Sequence, residues 1–125
     1  MSISTNLTPF WKKYKEYSPP EEGPLRFTSI IVVNKTPTYG SINEGDFIQV
    51  IYRRKPMWVL FKCPCGCQTV ISLSLQKVHN PHWRLKKTNK GRPSLYPSIW
   101  QKTGCRSHFW ITNGYVSWAK FIGEY

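Results

Sequence analysis

The sequence predicts a mainly β protein, a small antiparallel sheet or open barrel of hairpins carrying a zinc-ribbon-like pair of knuckles, with a short N-terminal helix. Three observations carry this reading. Short runs of β-branched and aromatic residues recur between Phe27 and Trp118, separated by turn-forming residues. Asn113-Gly114 joins the last two runs, and an Asn-Gly pair favours a two-residue hairpin turn with positive φ at both positions. Five candidate ligands, four cysteines and one histidine, fall in two tight clusters whose spacing suits a single metal ion.

Taken in order, Phe10 to Tyr17 reads as a short helix stopped by Ser18-Pro19-Pro20, since proline cannot continue a helix. Glu21 to Pro24 reads as a linker, which makes 1–26 a peripheral segment and 27–125 a single domain. Strands are expected over Phe27–Val33, Phe47–Tyr52 and Met57–Phe61, with a loop from Lys35 to Asn43 and a basic turn at Arg53 to Pro56. After the first cysteine cluster, Thr69 to Leu75 alternates with period two and puts Ile71, Leu73 and Leu75 on a core face. Trp83 to Lys86 forms a short strand, and Thr88 to Pro97 reads as loop. Phe109–Thr112 and Tyr115–Trp118 form the final hairpin. Most of the four residues Trp58, Trp83, Trp110 and Trp118 are expected to anchor the core.

Composition bounds the class. A chain of 125 residues with 40% hydrophobic content buries one modest core, which a metal staple would reinforce. No apolar run is long enough to span a membrane, and Met1 to Thr8 lacks the pattern of a signal peptide, so a cytoplasmic location is expected. In that compartment cysteines are metal ligands or free thiols rather than disulfides.

Cys63, Cys65 and Cys67 form the first knuckle, with Gly66 permitting the sharp turn that makes thiolates converge. Cys105 and His108 form the second as a C-x-x-H pair. Structural zinc takes four nitrogen or sulfur ligands, so five candidates exceed the positions available. The expected set is Cys63 or Cys65, then Cys67, Cys105 and His108, with Zn2+ as the cofactor. Iron–sulfur ligation lacks four spaced thiolates unless histidine substitutes. Three cysteines in five residues pack poorly as plain core hydrophobes, which favours the metal. Apparent binding energies for such zinc sites, about 10–16 kcal/mol, match or exceed the roughly 5–15 kcal/mol net stability of a domain.

Catalysis has weaker support in the sequence. A zinc hydrolase needs an open coordination position and usually a carboxylate base, and no acid occurs between Asp46 and Glu124. His79 and His82 sit in a loop and read as surface residues, while Ser94, Ser98 and Ser107 show no base–acid relay. An unligated cysteine beside basic residues would be the catalytic variant of choice.

Eighteen Lys and Arg against six acids give a net charge of +12, and thirteen of those cations lie in the acid-free stretch. Such a field attracts polyanions. Arg53, Arg54, Lys55, Arg84, Lys86, Lys87, Lys90 and Arg92 are the candidate contacts for nucleic acid, with tryptophans interleaved, or for an acidic protein surface. The expected function is thus a basic zinc-stabilised binding module; a protein-interaction factor and a metal- or thiol-dependent hydrolase are the alternatives.

The motifs Cys63-Pro64-Cys65-Gly66-Cys67, Ser72-Leu73-Ser74-Leu75, Pro97-Ser98-Ile99 and Gly104-Cys105-Arg106-Ser107-His108-Phe109 occur together. In this combination the chain resembles a family of small bacterial and phage proteins, some encoded beside ubiquitin-like conjugation genes. The resemblance covers about residues 57–118. It implies metal binding at Cys63, Cys65, Cys67, Cys105 and His108 and no assigned activity; the protein-interaction alternative places the chain in phage conflict or a ubiquitin-like pathway.

Overall fold

The computed structural model describes residue 21 and residues 23–119. The helix expected at Phe10 to Tyr17 lies outside the described residues. Among the described residues, eight strands form two open four-stranded sheets. The first holds β1 (Ile31–Val33), β2 (Ile48–Tyr52), β3 (Lys55–Lys62) and β4 (Val70–Ser74) in that order. The second holds β5 (Arg84–Lys87), β6 (Pro93–Trp100), β7 (His108–Thr112) and β8 (Tyr115–Trp118), again in chain order.

Short connections explain this order, because within each sheet every strand after the first pairs with the one before it. Arg53 and Arg54 turn between β2 and β3 with φ of 50° and 68°, and Asn113 and Gly114 turn between β7 and β8 with φ of 51° and 84°. The Asn-Gly hairpin thus forms as the sequence predicts. The exception to hairpin pairing is β1, which runs parallel to β2 and is only three residues long, so the sheet is not wholly antiparallel. The long connection through a 3₁₀ turn at Tyr39–Ser41 makes that parallel return possible. Its Ile42 is buried against Ile48, Val50 and Leu60 and covers the outer face of the first sheet.

The inner faces share one core. Phe27, Phe47, Val59, Phe61, Ile71 and Leu73 from the first half pack with Leu95, Ile99, Phe109, Ile111 and Val116 from the second. Phe47 and Phe61 stack, and Phe27 meets both edge-on at 5.4–5.6 Å between centroids. Ile71 and Leu73 are buried and Leu75 packs beside them, as the alternation predicts, while Val70 joins the opposite face.

Two expectations are corrected. Residues Pro93–Trp100, read mostly as loop, form the eight-residue strand β6. Its prolines hid it: Pro93 opens the strand, where no ladder donor is lost, and Pro97 sits in an irregularity of the pairing. Between the pairs Leu95↔Ile111 and Ile99↔Phe109, three residues of β6 stand opposite Trp110 alone. Nor do most of the four tryptophans anchor the main core. Trp83 packs against the main core and Trp58 against the outer cluster. Trp118 is 44% exposed, though its ring edges onto Phe109, and Trp110 stacks on His108 instead.

Candidate functional site

The first knuckle closes the hairpin between β3 and β4. Cys63 N–H donates to Thr69 C=O (2.8 Å), Gly66 N–H to Cys63 C=O (3.2 Å), and Gly66 turns at φ 92°. The side chain of Arg26 clamps the loop from outside, donating from Nη1 to Pro64 C=O at 2.9 Å. The second knuckle lies in the β6–β7 loop, shut by Gln101 N–H on Ser107 C=O (2.8 Å) and turned by Gly104 at φ 68°.

The two loops bring Cys63, Cys65, Cys67 and Cys105 together, with all four Sγ atoms within 4.8 Å of one another. Cys63 Sγ lies 3.5 Å from Cys65 Sγ and 3.8 Å from Cys105 Sγ. Cys63 is buried and the other three are exposed. Four convergent sulfurs could hold one metal ion, and the donor set suits a soft tetrahedral cation. Without metal the thiols are unequal. Burial pushes Cys63 up to about 12. Hydrogen bonding from the Thr69 side chain pulls Cys67 down to about 6, and Ser107 lowers Cys105 in the same way. A metal therefore meets thiols already lowered at Cys67 and Cys105 and must displace a proton from Cys63.

His108, expected to complete the metal set, is engaged elsewhere. The fourth sulfur of the group comes from the first knuckle, where the sequence left the choice among three cysteines open. His108 is the first residue of β7 and pairs with Trp100. Its side chain alternates with the buried Phe109, so it stands on the outer face of the second sheet. There its Nε2 lies 2.9 Å from Ser98 Oγ. Its ring is held between two indoles, Trp100 at 5.2 Å and 17°, and Trp110 at 5.6 Å and 26°.

This pair is what sequence reasoning missed. Ser98 lies in the β6 irregularity opposite Trp110, and such bulges re-aim side chains beside active sites. Trp83 Nε1–H donates to Ser98 C=O at 3.2 Å and fixes that backbone. Burial lowers the pKa of His108 and keeps its imidazole neutral, the form that can accept a proton from a hydroxyl. The only available signal was that Pro97-Ser98-Ile99 and Ser107-His108-Phe109 stood out as separate motifs.

A second serine–histidine contact exists. Ser74 Oγ lies 2.5 Å from His79 Nδ1, with His79 stacked on Trp58 at 5.5 Å. Ser74 is only 8% exposed and its oxygen also accepts Gln76 N–H at 3.1 Å, which is the arrangement of a turn cap. His82 caps the same loop, with Nδ1 3.0 Å from His79 C=O.

The basic candidates fall on different sheets. Arg53 and Arg54 form the β2–β3 turn and Lys55 opens β3. Arg84, Lys86 and Lys87 lie on β5, an edge strand, and Lys90 and Arg92 in the turn that follows. Among the described residues, no helix is long and apolar enough to cross a membrane.

A family model described as bacterial ubiquitination-like system serine protease (BubE) matches residues 32–119. That span takes in every named strand except the first residue of β1, all four cysteines, Ser98 and His108. No curated protein and no solved structure matches the chain.

Proposed function

This chain belongs to the bacterial ubiquitination-like system serine protease (BubE) family, and on that premise we propose that it hydrolyses an amide bond with Ser98 as nucleophile and His108 as general base. The contact of 2.9 Å between Ser98 Oγ and His108 Nε2 carries the reading. In this mechanism Oγ attacks the substrate carbonyl carbon while Nε2 takes its proton. The tetrahedral intermediate collapses as His108 returns that proton to the leaving amine. Water then attacks the acyl-serine ester, activated by the same imidazole, and the serine is restored.

Trp100 and Trp110 fix the plane of the His108 ring by stacking on its two sides. Ser98 is preferred to Ser74 on two grounds: Ser74 is almost buried and already serves as a cap, and the histidine that faces it, His79, lies outside the motifs that mark the family resemblance.

The four-cysteine group supports zinc, held by Cys63, Cys65, Cys67 and Cys105, in a structural role. When bound, the ion supplies a rigid cross-link and takes no part in bond cleavage. The place of action proposed here is a bacterial ubiquitin-like conjugation system, following the family description.

A fluorophosphonate probe tests the assignment. It should attach to the full chain at Ser98, located by peptide mass spectrometry, and fail on Ser98→Ala and His108→Ala while still reacting with Ser74→Ala. Undiminished labelling of a folded Ser98→Ala variant would show that another residue is the nucleophile.

A further inference from the structure

Two of the rings beside Ser98 and His108 carry a cation. Arg84 lies over the Tyr96 ring with its Cζ 5.2 Å from the centroid, and Tyr96 shares the β6 irregularity with Ser98. Lys102 Nζ lies 5.4 Å over Trp100, the indole stacked on His108. Farther along the sheet, Arg92 lies 6.0 Å over Tyr115. Among the described residues, none of these three cations is paired with a carboxylate. No acid occurs in the sequence between Asp46 and Glu124, so the second sheet itself contributes none.

From this arrangement we infer that the substrate segment crossing the Ser98–His108 site is acidic, with Asp or Glu close to the cleaved bond on one or both sides. The inference rests on the peptidase reading above and adds the class of substrate to it. Physically, a guanidinium stacked on tyrosine has its plane fixed and its N–H edge free to take a carboxylate. Lys102 is steadied over indole in the same manner. Cations held on rings, and not neutralised by acids of the same sheet, present a preformed positive rim to an incoming chain. A substrate carboxylate would complete that rim, while a lysine in its place would meet uncompensated like charge.

The test uses the full-length, metal-loaded chain and a fluorogenic peptide library that varies the residues flanking the scissile bond. Peptides with Asp or Glu should be cleaved at least tenfold more efficiently, in kcat/KM, than the same peptides with Asn or Gln. That ratio should shrink towards one in 0.5 M salt and in the double variant Arg84→Gln/Lys102→Gln. Arg53→Gln, which removes a charge from the other sheet, should leave the ratio unchanged. Equal cleavage of acidic and neutral peptides would overturn the inference and leave the peptidase reading standing. Failure to cleave any peptide, with no fluorophosphonate adduct at Ser98, would remove the peptidase reading and this inference with it. If a single-stranded oligonucleotide bound to the Arg84 and Lys102 rim and acidic peptides gained no advantage, the rim would belong to nucleic acid, and the inference would be wrong.

Discussion

His108 stands three residues after Cys105, and that spacing alone lets its ring face either the sulfurs or the neighbouring strand. What decides is that the residue already belongs to β7, where pairing with Trp100 fixes which face it occupies. Two predictions follow from that placement. His108→Ala should leave the bound metal content unchanged, whereas Cys105→Ala should weaken metal binding by more than about a hundredfold, since even outer partners of metal ligands are worth about 10–100-fold; elemental analysis and a competition titration read both. The second concerns pH. Burial lowers the pKa of His108, so its neutral form persists below the usual histidine value. Activity requires that neutral form, so kcat/KM should stay level as pH falls through about 6.5 and drop only below it. Exposing the ring by Trp110→Ala should move the acid limb up towards the ordinary value. A limb already at or above that value in the wild type would contradict the burial argument. The two motifs were legible in the chain but not their pairing, because a serine and a histidine ten residues apart become partners only through strand register.

At the scale of elements, the sequence was most informative where a turn had a local cause. Asn113-Gly114 announced its hairpin because few residue pairs accept positive φ twice. The equivalent turn at Arg53-Arg54 carries no such signal, and arginines hold φ of 50° and 68° there only because the flanking strands pair. β6 was hidden for a similar reason: its prolines argue against a strand, and only tertiary pairing with β5 and β7 makes one. Its irregular stretch then supplies Ser98, so the element hardest to read carries the proposed nucleophile. Gly114 shows how tightly the second sheet is seamed to the rest. Its carbonyl accepts Arg26 and Phe27 N–H at 3.1 and 2.9 Å, and a Cβ there would lie 2.1 Å from Phe27 O. Gly114→Ala should therefore cost about 2–4 kcal/mol, combining a left-handed backbone with a clash against main chain that cannot swing aside. Urea unfolding would read this as a lower midpoint at unchanged slope. Gly23→Ala, where nothing lies within 4 Å, incurs no such clash.

Over the whole molecule, the cysteine group links the two sheets, since Cys63, Cys65 and Cys67 end a hairpin of the first and Cys105 sits in a loop of the second. That loop connects β6 to β7 and is closed by the pair Trp100↔His108. A metal at the four sulfurs therefore restrains the strand register that sets Ser98 against His108. The sequence disclosed the cluster because cysteine chemistry is local and recognisable, but not its consequence for a site on another face. Stripping the metal should then act in two stages. Mild chelation should abolish peptidase activity while much of the shared phenylalanine core remains, because the β6–β7 loop loses its anchor first. Prolonged removal should lower the melting temperature sharply, given a site worth about 10–16 kcal/mol in comparable small domains. Protons compete for Cys63, whose thiol lies near 12 without metal, so the chelator concentration needed should fall as the solution is made more acidic. Near-ultraviolet circular dichroism, activity and metal content followed together would separate the stages. A chelated protein that kept both its activity and its melting temperature would show that the sheets hold Ser98 and His108 in register by packing alone.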